Sequence, residues 1–457
     1  MHDHISWEAL NSFPGLDTPE EIKAAATTRV APRSDLGDVP AYLIDSEVRK
    51  HLTGLYIPSS EEVTLIQKFV GMARAHRARN YVDPKDYFQR LYHRGYQGND
   101  FRAPVCLTGP AGVGKSSLMQ AVHRILPQSQ EVNLGPQGGR LRASASWFIC
   151  AQDRSTVSKM LRPFVQAEWI DSPKDTTQAV AGIIFKNAVS LIILDEMQFM
   201  TQSAQANTAV TKALYQFSHL GAPLVFVANY SLCNLLLRRP EQDRQRLLAT
   251  PSVLFPSRPD SEDWKNYLTA VTEALSPTLQ VDLASRGFEM FEKTAGLKRL
   301  LIHLICSAYA TAWERGRRQV AASDLAEAFG STGYSVHRKQ VQAMLIEKPS
   351  KTNAQYQCPF PLVAATAEAV ANDRAVARER RLAEELQKEL LRPIAHQAAA
   401  HIQKISDKSR ETLAAAPMPK KPVRRAGKLS AAELLQTEVQ RNCLLYTSDA
   451  ADDMQCV

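Results

Sequence analysis

Gly109-Pro110-Ala111-Gly112-Val113-Gly114-Lys115-Ser116 has the residue types and spacing of a polyphosphate cradle. Its glycines let the backbone curl until successive N–H groups converge on phosphate oxygens. Lys115 offers a full charge to the β- and γ-phosphates, and Ser116 a hydroxyl to magnesium. Upstream, Ala103-Pro-Val-Cys-Leu-Thr108 reads as a short buried strand. Downstream, Ser117-Leu-Met-Gln-Ala-Val122 reads as a helix whose N-terminus adds partial positive charge at the same spot. A chance glycine turn would not need a strand before it and a helix after it.

A second chemical group follows in Leu191-Ile-Ile-Leu-Asp195-Glu196. Four apolar residues predict a central strand, and its end delivers two carboxylates. Asp195 suits the magnesium shell, and Glu196 is then placed to polarise an attacking water. Beside a phosphate loop, this pairing outweighs the reading of a solvated acidic loop. Pro223-Leu-Val-Phe-Val-Ala-Asn229 is another buried strand ending in a polar residue. The Asn229 amide can orient water or a γ-phosphate, or simply cap the next turn. Arg238, Arg239, Arg244 and Arg246 come next. A guanidinium supplied by a neighbouring subunit can speed phosphoryl transfer by roughly 10³- to 10⁵-fold. Arg246 and Arg244 are the candidates. The competing reading is a charged helix face on which they pair with Glu241 or Asp243.

The elements that must position these groups alternate strand and helix from Phe101 to about Arg258. Ala145-Ser-Trp-Phe-Ile-Cys150 and Leu224-Val-Phe-Val-Ala228 are strand-like, and Ser252-Val-Leu-Phe255 is weaker. Such alternation predicts a parallel sheet flanked by helices, an α/β core. Residues 261–275, 281–295, 297–316 and 321–329 then read as helices, a small all-helical unit. Residues 27–40 are polar with two prolines and read as a linker. A helix is expected from Glu61, on the spacing of Val63, Ile66, Phe69 and Val70. It ends in the basic run Arg74-Ala-His-Arg77-Ala-Arg79, either a solvated helix end or a phosphate-contacting segment. Arg140 to Arg142 and Arg154 to Lys159 read as loops that contact DNA or carry ordinary exposed charge. After Gly333 order is expected to weaken, with a long helix over 364–391 and a basic run, 418–428, that keeps the tail solvated or binds a partner. Residues 443–457 resemble translated adaptor sequence and are set aside. The expected division is an N-terminal extension (1–55), a nucleotide-binding core (56–260), a helical lid (261–332), a helix with a basic tail (333–442) and the closing segment (443–457).

Composition narrows the class. The 457 residues are 44% hydrophobic, enough for a packed core, and too many for one ordinary domain. No run of about eighteen apolar residues predicts a membrane span. Seven scattered cysteines (Cys106, Cys150, Cys233, Cys306, Cys358, Cys443 and Cys456) include no CxxC pair. With no secretion-type start, that points to a reducing, cytoplasmic setting without structural zinc. A net charge of +8 leans towards an acidic partner such as nucleic acid.

Together the phosphate loop, Asp195-Glu196, Asn229, the arginine segment and the helical lid resemble an AAA+ ATPase over about Tyr56 to Phe329. Gly296-Leu-Lys-Arg299 is similar to the sensor-two GxxR pattern of the initiator and clamp-loader branch. That implies that Arg299 reaches the nucleotide from the lid. The stretch from Trp313 to Leu325 resembles the closing lid helix of initiator-like members. More narrowly, Asp195-Glu-Met-Gln198, Ala228-Asn-Tyr-Ser-Leu232 and Asp243-Arg-Gln-Arg-Leu247 resemble TnsC-type regulators of transposition. The resemblance implies a five-stranded parallel sheet with a helical lid. It implies ATP and Mg2+ held by Gly109 to Ser117, Asp195 and Arg299. It also implies a homo-oligomer, ring or filament, on double-stranded DNA of any sequence, linking a target selector to a transposase. A replication initiator or helicase loader is the alternative. Such proteins usually carry a DNA-reading domain after the lid, where this chain shows a charged helix and a basic tail. A metabolic phosphotransferase would use the same loop, but a helical lid and an arginine cluster argue against it.

Overall fold

The structure, a computed structural model, describes residues 4–92, 101–134, 140–151, 156–168, 176–197, 206–345 and 357–360. All lie in the first of two units, residues 1–367; the second comprises 368–457. The helix expected over 364–391, the basic run 418–428, the segment 443–457, Arg154 and Gln198 lie outside the described residues.

The chain opens with β1 (His4–Ile5), α1 (Pro19–Ala26), α2 (Ala41–Thr53), α3 (Ser60–Asn80) and α4 (Pro84–Tyr92). Next come β2 (Val105–Gly109), α5 (Lys115–Ile125), β3 (Gln130–Asn133), β4 (Arg140–Ala143) and β5 (Ser146–Cys150). They are followed by α6 (Val157–Ala167), α7 (Thr176–Lys186), β6 (Leu191–Asp195), α8 (Ala206–Ser218) and β7 (Leu224–Asn229). Then α9 (Tyr230–Leu237), α10 (Glu241–Leu247) and β8 (Ser252–Val253) lead into five helices: α11 (Glu262–Ala274), α12 (Gly287–Thr294), α13 (Lys298–Glu314), α14 (Ala322–Gly330) and α15 (Ser335–Leu345).

Five strands form a parallel sheet in the order β5-β6-β7-β2-β8. Because both faces are covered, the three central strands β6, β7 and β2 are mostly apolar up to their carboxyl ends. Leu191 and Ile193 join Val105, Leu107, Val225 and Val227 in one core. Ile192 and Leu194 join Cys106, Phe226 and Ala228 in the other, as the two-residue period of a strand requires. Burying each large aliphatic side chain contributes about 1.5–3 kcal/mol. Register then does the positioning: Gly109 lies opposite Asn229, and Cys150 opposite Asp195. The polar residues therefore gather at the carboxyl ends of the strands, the ligand-binding edge of an open α/β sheet.

The lid helices share an apolar core with α2, where Ile44, Val48 and Leu52 meet Leu301, Ile305 and Trp313. The Trp313 indole N–H donates to the Val39 carbonyl at 3.0 Å. Residues 27–40 are thus more than a polar connection. They include a 3-10 turn, Ser34–Asp38, that buries Leu36, and Thr28 bridges to Tyr56.

Several local expectations are corrected. Arg77 serves neither solvent nor phosphate. It is fully buried, donates to the Leu10 carbonyl (2.7 Å) and the Ser190 hydroxyl (3.0 Å), and lies 5.1 Å from the Phe13 ring centroid. Its neighbour Arg74 pairs with Asp17 at 2.9 Å. The helix expected over 281–295 begins only at Gly287. Before it, the Asp282 carboxylate accepts from the Ala284 N–H and Thr272 Oγ1 from the Leu283 N–H, favouring a turn. Arg140 to Arg142 form β4 rather than a loop, in a small sheet ordered β1-β3-β4, and Arg140 pairs with Glu131. Lys159 is exposed on the first turn of α6. Order also continues past Gly333, where α15 packs with Val341 buried.

Candidate functional site

The glycine-rich turn leaves β2 and enters α5 through Gly114, whose φ of +113° an L side chain rarely adopts. No side chain caps α5, so its leading N–H groups remain for a ligand. Gly109, Pro110 and Val113 are buried and shape the turn. Their neighbours Ala111, Gly112, Gly114, Lys115, Ser116 and Ser117 line a cavity of about 350 Å³.

The Lys115 amine donates to the carbonyls of Gly109 (2.8 Å) and Pro110 (2.9 Å). Burial, reinforced by the Arg299 charge, pulls its pKa down to about 8. The Ser116 hydroxyl donates to Asp195 Oδ1 at 3.2 Å, bringing together the two groups expected at magnesium. The same oxygen accepts the Glu196 N–H at 2.9 Å. Burial raises the Asp195 pKa, while these two hydrogen bonds and Lys115 act against the rise. Glu196 has φ +59°, a conformation that costs a non-glycine residue free energy and concentrates at functional sites. Asn229 caps α9: its side-chain oxygen accepts from the Leu232 N–H (2.9 Å) and the Ser231 hydroxyl (2.8 Å). Its cap and its position on the cavity wall coexist, and its amide nitrogen is the group left to offer a ligand.

Asp195, Glu196 and Asn229 line the same cavity as the phosphate loop, and so do Lys298 and Arg299 from the lid. The Arg299 N–H donates to the Gly112 carbonyl at 3.2 Å, so lid and loop meet directly. Arg244 and Arg246 are not brought there. They are exposed on α10, and the Arg246 guanidinium lies 5.6 Å from the Phe101 ring centroid. On that helix Asp243 is held instead by Arg239 (3.0 Å) and the Tyr215 hydroxyl (2.8 Å).

Sequence reasoning missed one wall. Arg49, Leu52, Thr53, Leu55, Tyr56 and Ile57, which precede the core strands, line the cavity with Tyr267 and Ile302. The available signal was the capping box of Ser59 and Glu62, which fixes where α3 starts and hence where the preceding apolar residues turn inward.

These residues fit a magnesium nucleotide. An uncapped helix start, a buried lysine and a hydroxyl–carboxylate pair supply the donors and oxygen ligands that such a group requires. Among the described residues no cluster of three or more His, Cys, Asp or Glu could hold a metal ion by itself. No helix among the described residues is long and apolar enough to cross a membrane.

No curated protein matches the chain. Among solved structures it is similar to the Aeropyrum pernix ORC1 protein in complex with DNA, at 17% identity, covering 62% of this chain and 75% of that one, with a TM-score of 0.35. It is similar to the ADP form of the Aeropyrum pernix ORC2 protein at 15% identity, covering 56% and 68%, with a TM-score of 0.38. It is also similar to domain III of the Thermotoga maritima replication initiation protein DnaA at 14% identity, covering 54% and 88%, with a TM-score of 0.31. Residues 101–236 match the family described as AAA domain. That matched segment supplies the phosphate loop, the acidic strand end and Asn229.

Proposed function

We propose that this protein binds ATP with Mg2+, hydrolyses it, and uses the cycle as an assembly switch on duplex DNA. One observation carries the reading: Lys115, the Ser116–Asp195 pair, Glu196 and Asn229 converge with Arg299 on one cavity at the carboxyl ends of the parallel strands. Lys115 and the N–H groups of the turn would hold the β- and γ-phosphates, with Ser116 and Asp195 holding magnesium. When bound, the magnesium nucleotide supplies the anhydride to be cleaved. Glu196 polarises the attacking water, the Asn229 amide orients it, and Arg299 reports the γ-phosphate to the lid. The exposure of Arg244 and Arg246 supports their acting on a neighbouring protomer's nucleotide. Assembly would then depend on ATP, and hydrolysis would loosen the contact.

DNA as the assembly surface is supported by the net charge of +8, with phosphate-directed, sequence-tolerant binding. The replication-initiator or helicase-loader reading has the broader sequence support, from Gly296 to Arg299 and from Trp313 to Leu325 in the lid. The transposition reading rests on the shorter strings at Asp195, Ala228 and Asp243, and stands second. A transposase or target selector that binds the assembled protein would reverse that order.

Glu196→Gln tests the core of the proposal. The variant should bind ATP, turn over at under about one hundredth of the wild-type rate, and remain on duplex DNA as persistent oligomers visible by electron microscopy. Wild-type hydrolysis by this variant would remove Glu196 as the base. Failure of wild-type protein to assemble on DNA with any adenine nucleotide would remove the switch.

A further inference from the structure

Lys298 immediately precedes Arg299, and its surroundings form a tailored ammonium socket. Its Nζ lies 2.7 Å from Glu62 Oε2 and 3.4 Å from the Ile57 carbonyl. The ring centroids of Tyr56 and Tyr267 lie 5.6 and 5.4 Å away. The Glu62 side chain is only 2% exposed and that of Lys298 15% exposed, so this is not a surface ion pair. The partners come from opposite sides: Glu62 from the first turn of α3, Lys298 from the first residue of the lid helix α13. Glu62 is fixed in turn by the capping box, accepting the Ser59 N–H at 2.7 Å. One residue further on, Arg299 presses on the phosphate loop: a Cβ on Gly112 would lie 3.1 Å from Arg299 Cβ and 3.6 Å from its Nε.

A buried ion pair is a poor source of stability but a good source of register, because both charges must find one geometry or go unpaired. The guanidinium that reaches the cavity is then set by the neighbouring residue's anchor rather than by its own long, flexible chain. We infer that Glu62 and Lys298 are positioning residues that hold Arg299 against the nucleotide, locking the lid to the core at the site itself. This inference rests on the nucleotide reading above.

The test is a double-mutant cycle in the full-length chain, read by affinity for a fluorescent ATP analogue and by steady-state hydrolysis. Lys298→Met should lower kcat/KM by about 10-fold or more. The same change made on top of Arg299→Ala should cost less than about 2-fold, because the residue it positions is gone. Glu62→Gln, which keeps the side-chain shape and a hydrogen bond to the Ser59 N–H, should reproduce the pattern. It serves in place of Lys298→Met if that variant fails to fold by circular dichroism. Equal losses with and without Arg299, or no loss in either variant, would overturn the inference while leaving the nucleotide site standing. Wild-type protein that binds no ATP analogue would overturn the nucleotide reading and this inference with it.

Discussion

Gly296 is the joint through which the lid reaches the core, and replacing it with alanine gives a sharp prediction. Its φ is +69°, and an added Cβ would lie 2.1 Å from the Ser257 carbonyl oxygen. Ser257 N–H in turn donates to the Gly296 carbonyl at 3.2 Å, so the two backbones are fastened together. Contacts closer than 3.0 Å are essentially never seen for a real Cβ, so the two segments must part by about 1 Å. Because the obstacle is backbone, no rotamer change relieves it. The displaced element is the start of α13, which carries Lys298 and Arg299. A misplacement of about 1 Å in catalytic geometry can cost roughly 100-fold in rate, or about 2.7 kcal/mol of transition-state stabilisation. Gly316→Ala is the matched control: φ is +74°, but nothing lies within 4 Å of the added Cβ. Both variants carry the left-handed backbone penalty of roughly 1–2 kcal/mol in stability; only Gly296→Ala should lose ATP turnover by about two orders of magnitude. Comparing kcat/KM at a temperature where both remain folded decides the matter. Equal turnover by the two variants would show that lid position does not govern the site.

Lys115→Ala should abolish ATP binding, measured by equilibrium titration with a fluorescent analogue; unchanged affinity would remove the phosphate-loop assignment. A pH effect is expected at His76. It is buried, and its Nδ1 lies 3.0 Å from both Asn80 Nδ2 and Arg102 Nη1, which favours the neutral ring. Burial first, then the charges of Arg102 and Arg77, lower its pKa from 6.5 to about 3. Its contribution is therefore full above pH 6.5 and is lost as pH falls towards 3, amounting to about 2 kcal/mol between pH 7.5 and 5. Urea titrations should show wild type losing that much more on acidification than His76→Gln; parallel losses would refute the assignment.

The parts of the fold legible in the sequence were those with one dominant cause. The run at Leu191 reads as a buried parallel strand because its four consecutive aliphatics are too few for a helix and stop at once at two carboxylates. The glycine turn reads as such because Gly114 needs a backbone angle that other residues avoid. What stayed hidden depended on tertiary partners. Arg77 lies on a basic stretch that looks solvated, and it is buried by the docking of residues 10–13 on one side and by Ser190 on another. Residues 27–40 look like a linker because their one core residue, Leu36, stands alone in polar text. Arg140 and Arg142 alternate with buried Leu141 and Ala143, a strand pattern too short to outweigh its charge. Lys298 carried no signal, since its meaning lies in a carboxylate far away in sequence.

Four cations and two carboxylates line the cavity. Of the cations that line it, Lys298 is matched by Glu62 and Arg49 by Asp45, which leaves Lys115 and Arg299 to face a ligand. Those two are balanced by the Asp195 and Glu196 carboxylates, which line the same cavity. A magnesium triphosphate remains anionic after its metal is counted, and the phosphoryl group in transit spreads that charge over its outer oxygens. Among the described residues, the cavity lining would thus supply charge to hold the nucleotide but no further cation to neutralise the transition state. Arg244 and Arg246 sit exposed on α10 outside their own cavity, and the planar guanidinium is the group best suited to that role. A site that is neutral by itself and completed by a neighbour's arginine would hydrolyse slowly as a monomer and quickly in an assembly. Such a difference would let a bound nucleotide control association.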